Sequence, residues 1–209
     1  MLTTLLLAAL FGLRHAVDPD HMAAIGALVA RDPRASRALR TAVTWGAGHT
    51  VSVVAVGVPM AVLGVRVPDS MERAVELLVA LMLFVLGALA IVRARRKKAA
   101  APGATLELSS VRAFVVGSIH GLGGSAALTL MALATVGDAG RAVMFLLVFG
   151  VGTVLGMALA TLVLARSVAW MAAKRPAQAP WLERVAGMVS IAAGIVVLVR
   201  VGLESRGLP

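Results

Sequence analysis

Cysteine is absent from the chain, which excludes disulfides, thiolate metal sites and thiol redox chemistry. Charge is scarce too: 14% of residues are Asp, Glu, Lys or Arg, against 60% hydrophobic residues and a mean hydropathy of +0.94. A soluble domain of 209 residues does not need that much apolar surface, so the composition predicts an all-α, polytopic membrane protein. Acidic residues are the scarcer sign, ten against twenty basic, giving a net charge of +10 and a pI near 11.7. In a soluble protein this excess would suggest nucleic acid. Here the basic residues fall in short connections between apolar runs, so membrane orientation explains them and no nucleic-acid partner is expected. HExxH, nucleophile-elbow, Walker A and Rossmann motifs are missing, so hydrolysis of a peptide or nucleotide has no support; the chain is expected to be no enzyme and to carry no bound cofactor. The N-terminal apolar run has no basic n-region and continues past the length of a signal-peptide h-region, so it is expected to be the first mature span.

Within that run lies Arg14-His15-Ala16-Val17-Asp18-Pro19-Asp20-His21, which puts two histidines, two aspartates and an arginine into eight residues. Ionisable groups inside a span cost at least a few kcal/mol each on insertion scales, so a cluster of them points to function. Pro19 removes a backbone donor and disfavours helical geometry at Asp18, so a helix break is expected there. In an unbroken helix His15 and Asp18 share a face and His21 points away. The break would let Asp20 and His21 swing back. Imidazole with carboxylate suits Ni, Co, Zn, Cu or Fe(II) rather than Mg or Ca. His15, Asp18, Asp20 and His21 are therefore the expected metal ligands, with His49 the contributor from a second helix. Binding should release protons and weaken as pH falls. Arg14 is expected to pair with Asp18 or Asp20. His120, on a Gly-rich segment, is expected to contribute less.

Six transmembrane helices are expected, at about 2–30, 41–63, 72–92, 111–136, 142–170 and 182–203. Gly12 to His15 lines up with Gly117 to His120 at an offset of 105, and Trp45 to Gly48 lines up with Phe149 to Gly152 at 104. Glu76, Gly87, Val92 and Arg93 match Glu183, Gly194, Val199 and Arg200 at 107. Three spans per half make the second half inverted relative to the first, a 3+3 inverted repeat with matching breaks at Asp18-Pro19 and Gly123-Gly124. Residues 1–98 form the first repeat with the metal motif, 99–110 a cytoplasmic linker and 111–209 the second repeat. Such repeats with discontinuous helices mark secondary transporters. Odd-numbered connections hold fourteen Lys and Arg; the even-numbered ones and the C-terminus hold five. The positive-inside rule then puts both termini outside.

Arg-His-Ala-Val-Asp-Pro-Asp-His-Met resembles the signature of the nickel/cobalt transporter family, whose His-x4-Asp-His core would here be His15, Asp20 and His21. Asp18 matches a further acidic position, and Gly48-His49-Thr50 resembles the family's second histidine motif. The resemblance covers about residues 11–55 and implies permeation of Ni2+ or Co2+. The chain departs from the larger members, which have eight spans and acidic, Thr-rich motifs in the second half. His120-Gly-Leu-Gly-Gly-Ser125 is instead similar to the compact, six-helix urease-associated nickel permeases. The implied partners are a transition-metal ion as substrate and the lipid bilayer of the cell (inner) membrane, with a homo-oligomer left open. Efflux of a metal or small solute, or a non-transporting accessory subunit, are the competing readings.

Overall fold

The computed structural model describes residues 2–30, 34–96, 110–175 and 179–205. Nearly all of the expected linker lies outside the described residues. Among those described, every regular element is a helix: α1 (Leu2–His15), α2 (Pro19–Val29), α3 (Ala35–Leu63), α4 (Asp69–Arg96), α5 (Ser110–Leu122), α6 (Ser125–Val136), α7 (Ala139–Lys174) and α8 (Ala179–Glu204). The chain is thus an all-α, multi-pass membrane protein. Helices α3, α4, α7 and α8 are each long and apolar enough to cross a membrane, and α5 with α6, bent by 61° at their break, make a fifth span if counted together.

The first apolar run is not one helix. It is α1, about 21 Å long at 1.5 Å per residue, followed by α2. The break has a local cause. The amides of Val17 and Asp18 reach back three residues, to the carbonyls of Arg14 and His15 at 3.0 and 3.1 Å, which tightens the last turn of α1. Pro19 then occupies the first turn of α2, where its missing N–H costs nothing. The second break is made differently. Gly124 takes up φ +75°, a left-handed conformation that a side chain would disfavour, and Ser125 donates its hydroxyl to the Leu122 carbonyl at 2.9 Å.

Helix faces sort by size rather than by polarity. Leu2, Leu63, Val111 and Val163 are among many large apolar residues left exposed, while alanine and glycine line much of the interior. Lipid tails are as apolar as leucine, so large side chains gain nothing by turning inward, and small ones let backbones approach. The glycines show how close. A Cβ on Gly12 would land on the Phe149 carbonyl, joining α1 to α7, and one on Gly117 would land on the Trp45 carbonyl, joining α5 to α3. Gly152 meets Ala9, Gly48 meets Phe114 and Gly87 meets Gly187 in the same manner, and Gly194 meets Ala80 more loosely, at 3.1 Å. Helix α3 therefore lies between α5 and α7, α1 packs on α7, and α4 packs on α8.

Two buried clusters fill the spaces between these contacts. One gathers Ala23, Ile25, Val29, Trp45, Val79, Leu83 and Ala165; the other gathers Ala8, Val53, Ala132, Phe145, Leu146 and Phe149. Trp45 of the first and Phe149 of the second face the same polar centre, which contains all four histidines.

Candidate metal site

The break between α1 and α2 lets His15 and His21, which an unbroken helix would turn apart, meet with ring centroids 4.6 Å apart. His49 on α3 lies 5.2 Å from each of them, centroid to centroid. His120, in the last turn of α5, lies 4.2 Å from His21. Two close helix contacts bring these residues in. Gly121 packs on the backbone of His49, and Gly48 packs on Phe114, so α5 is pressed along α3 at the level of both histidines. Phe149 stands 5.3 Å from the His15 ring and Trp45 stacks at 6.0 Å on His21, capping the group with apolar surface.

Each expected ligand can now be placed. His21 and His49 are each 1% exposed and His120 is 3% exposed. His15 is partly buried, and its Nδ1 lies 2.8 Å from Asp18 Oδ2. A carboxylate only accepts, so Nδ1 carries the proton and Nε2 keeps the lone pair. Asp18 caps α2 by position, yet its side chain makes no cap bond, being turned to His15 instead. Asp20 accepts the His21 backbone N–H at 3.0 Å, and its Oδ1 lies 3.2 Å from His21 Nδ1. Its other oxygen, Oδ2, is 3.1 Å from His120 Nε2. The two aspartates thus sit behind imidazoles, an arrangement that fixes ring orientation and raises ligand basicity at metal sites.

What remains unpaired matters most. His15 Nε2, His21 Nε2 and both ring nitrogens of His49 are buried and without a hydrogen-bond partner. Buried polar atoms are nearly always satisfied, so several orphans in one place call for an explanation. One ligand atom from each of His15, His21 and His49 lies within 4.8 Å of the others, and the same holds for Asp20, His21 and His120. Imidazole nitrogens gathered this closely suit a borderline cation and offer little to Mg2+ or Ca2+.

Two expectations change. Arg14 does not pair with the aspartates: it is exposed, and the ion pairs of Asp18 and Asp20 among the described residues are to histidines. As the residue before His15 it points about 100° round the helix from it. His120, expected to be the lesser histidine, touches both Asp20 and His21. The readable signal was the small-residue spacing of Gly117 and Gly121, which permits the close approach to α3.

Residues 1–101 match the sequence profile of the NicO family, described as high-affinity nickel-transport protein. The chain is also 31% identical over 169 residues to the urease accessory protein UreH of Bacillus sp. (strain TB-90), covering 75% of this chain and 74% of that one. No solved structure matches. With a histidine-rich centre inside a multi-pass helical bundle, these similarities place the chain in the NicO family of nickel-transport proteins, whose work is to pass a nickel-type ion through a membrane rather than to catalyse a reaction.

Proposed function

We propose that Ni2+ or Co2+ crosses the protein by way of His15, His21 and His49, with Asp18 and Asp20 acting on the ion chiefly through the imidazoles they hold. The observation that carries this reading is the convergence of unpartnered, buried ring nitrogens from those three histidines. A divalent cation takes one lone pair from each of the three rings at once, which no protein hydrogen bond among the described residues does. The carboxylates behind them offset part of its charge.

The reading extends to architecture. Counting α1 with α2 and α5 with α6 as one broken span each gives six spans in two repeats, residues 1–98 and 111–209, joined by the cytoplasmic segment 99–110. The helix contacts support the exchange of halves. Gly12 on Phe149 corresponds to Gly117 on Trp45, Gly152 on Ala9 to Gly48 on Phe114, and Gly87 on Gly187 to Gly194 on Ala80, at offsets of 104 to 107. Two broken helices whose histidines, His21 and His120, meet at 3.3 Å suit a secondary transporter in which one half rocks against the other. The excess of Lys and Arg in odd-numbered connections supports a cell-membrane protein with both termini outside.

The test is uptake of radioactive Ni2+ into proteoliposomes holding the full chain. His15→Ala and His21→Ala should each lower the initial rate at least tenfold while the variants elute as the wild type does on gel filtration. Near wild-type rates in both would reject the site.

A further inference from the structure

His21 presents its two nitrogens to two different sets of ligands, and only one set lies wholly in the first half of the chain. Its Nε2 is buried with no hydrogen-bond partner, and one of its ring nitrogens lies within 4.8 Å of ligand atoms of His15 and His49. Its Nδ1 lies 3.2 Å from Asp20 Oδ1 and 3.3 Å from His120 Nε2, and that same His120 nitrogen lies 3.1 Å from Asp20 Oδ2. Donor atoms held about 2.0–2.1 Å from a divalent ion lie roughly 3.0 Å apart at octahedral angles and roughly 3.4 Å apart at tetrahedral ones. The spacings that link His21 Nδ1, His120 Nε2 and the two Asp20 oxygens, 3.1 to 3.3 Å, fall between those values. Hydrogen bonding alone serves this group poorly. If both nitrogens are protonated towards Asp20, two N–H groups face each other at 3.3 Å. One ion in place of the two protons removes that conflict.

We infer that Asp20, His21 and His120 form a second metal subsite, which takes over the ion from His15, His21 and His49 across the His21 ring. This rests on the metal reading above and adds to it a ligand from the second half of the chain. A neutral imidazole has one lone pair, so His21 serves one subsite at a time and a chain carries one ion. Handover goes with a change of tautomer in both rings, water in the transport path carrying the protons: His21 gives one up at Nδ1 and takes one at Nε2, and His120 gives one up at Nε2 and takes one at Nδ1. Both rings stay neutral. Because His120 rides on α5 and the other ligands on α1, α2 and α3, the distance between the two halves decides which subsite closes around the ion. Its place in the repeat agrees, since His120 is the counterpart of His15 at an offset of 105.

The experiment uses the full chain in detergent, with Co2+ as the probe because its visible spectrum reports ligand number and type, and Ni2+ uptake in proteoliposomes as the second readout. The wild type should bind about one Co2+ per chain. The double variant His15→Ala/His49→Ala should still bind Co2+, with a spectrum distinct from the wild type, and adding His120→Ala should abolish that residual binding. His120→Ala alone should bind Co2+ through the first subsite yet lose at least tenfold in uptake. If His120→Ala does not fold, His120→Gln takes its place, since its amide can still bond Asp20 but is a poor ligand. A double variant that binds nothing, or His120 variants with wild-type uptake, would overturn the second subsite while the first stood. A wild-type protein that binds neither Co2+ nor Ni2+ would instead remove the metal reading on which it rests.

Discussion

Replacing His49 with leucine should stabilise the metal-free protein and impair the metal-bound one. Both ring nitrogens of His49 are buried without a partner, in a residue 1% exposed. A buried polar group left unsatisfied costs about 1–3 kcal/mol, while a swap that roughly conserves volume costs under about 1.5 kcal/mol in repacking. Leucine fills a similar space against Gly121 and the neighbouring rings, so the net gain should be about 1–2 kcal/mol. For a chain of this size that corresponds to a rise in melting temperature of roughly 2–8 °C. With Ni2+ at a hundred times its dissociation constant the wild type gains about 2.7 kcal/mol. The variant, left with Asp20, His21 and His120, should gain less, so the order of stability narrows or reverses. Tryptophan fluorescence during heating, with and without Ni2+, measures both. A metal-free His49→Leu protein that melts below the wild type, or shows the same Ni2+ shift, would refute the reasoning.

Other outcomes follow from the same geometry. Asp18→Asn should weaken Ni2+ binding about 10–100-fold in equilibrium dialysis without abolishing it, the usual effect of losing a carboxylate behind a ligating imidazole; unchanged affinity would remove Asp18 from the site. Gly12→Ala and Gly117→Ala should each cost about 1–3 kcal/mol by overpacking against Phe149 and Trp45, measured as lowered melting temperatures, whereas Gly202→Ala, with nothing near its added methyl, should be harmless. Single cysteines at Ala35, Ala100 and Gln178, readable because the native chain has none, should resist an impermeant thiol reagent added from outside. Rapid labelling of all three would reverse the orientation.

Much of the bundle could be read in advance because membranes simplify the problem. Backbone groups must be paired within a helix or left at water, so apolar runs marked the helices, and the breaks fell where Pro19 and Gly123-Gly124 predicted them. Helix ends were less legible. The apolar run of the second span begins near Thr41, but α3 already starts at Ala35, because Arg37 and Arg40 are good helix formers that also suit the membrane face. At the site, the sequence named His15, Asp18, Asp20, His21 and His49 from residue chemistry and spacing, and the structure brings all five together with His120. It could not assign their partners. The choice of Asp18 for His15 and of Asp20 for both His21 and His120 depends on the angle between α1 and α2, and on how closely Gly121 lets α5 approach His49. Those are tertiary quantities. Arg14 was misread for the same reason, since proximity in sequence to two aspartates is not proximity in space.

X-ray absorption at the nickel K-edge of the Ni2+-loaded, full-length protein tests the central claim most directly. The account predicts a first shell of nitrogen and oxygen near 2.1 Å, with the outer-shell scattering of at least two imidazoles and no sulfur. That imidazole signal should weaken in His21→Ala, because His21 belongs to both subsites. A shell of oxygen alone, sulfur from methionine, or an imidazole signal indifferent to His21 would contradict it.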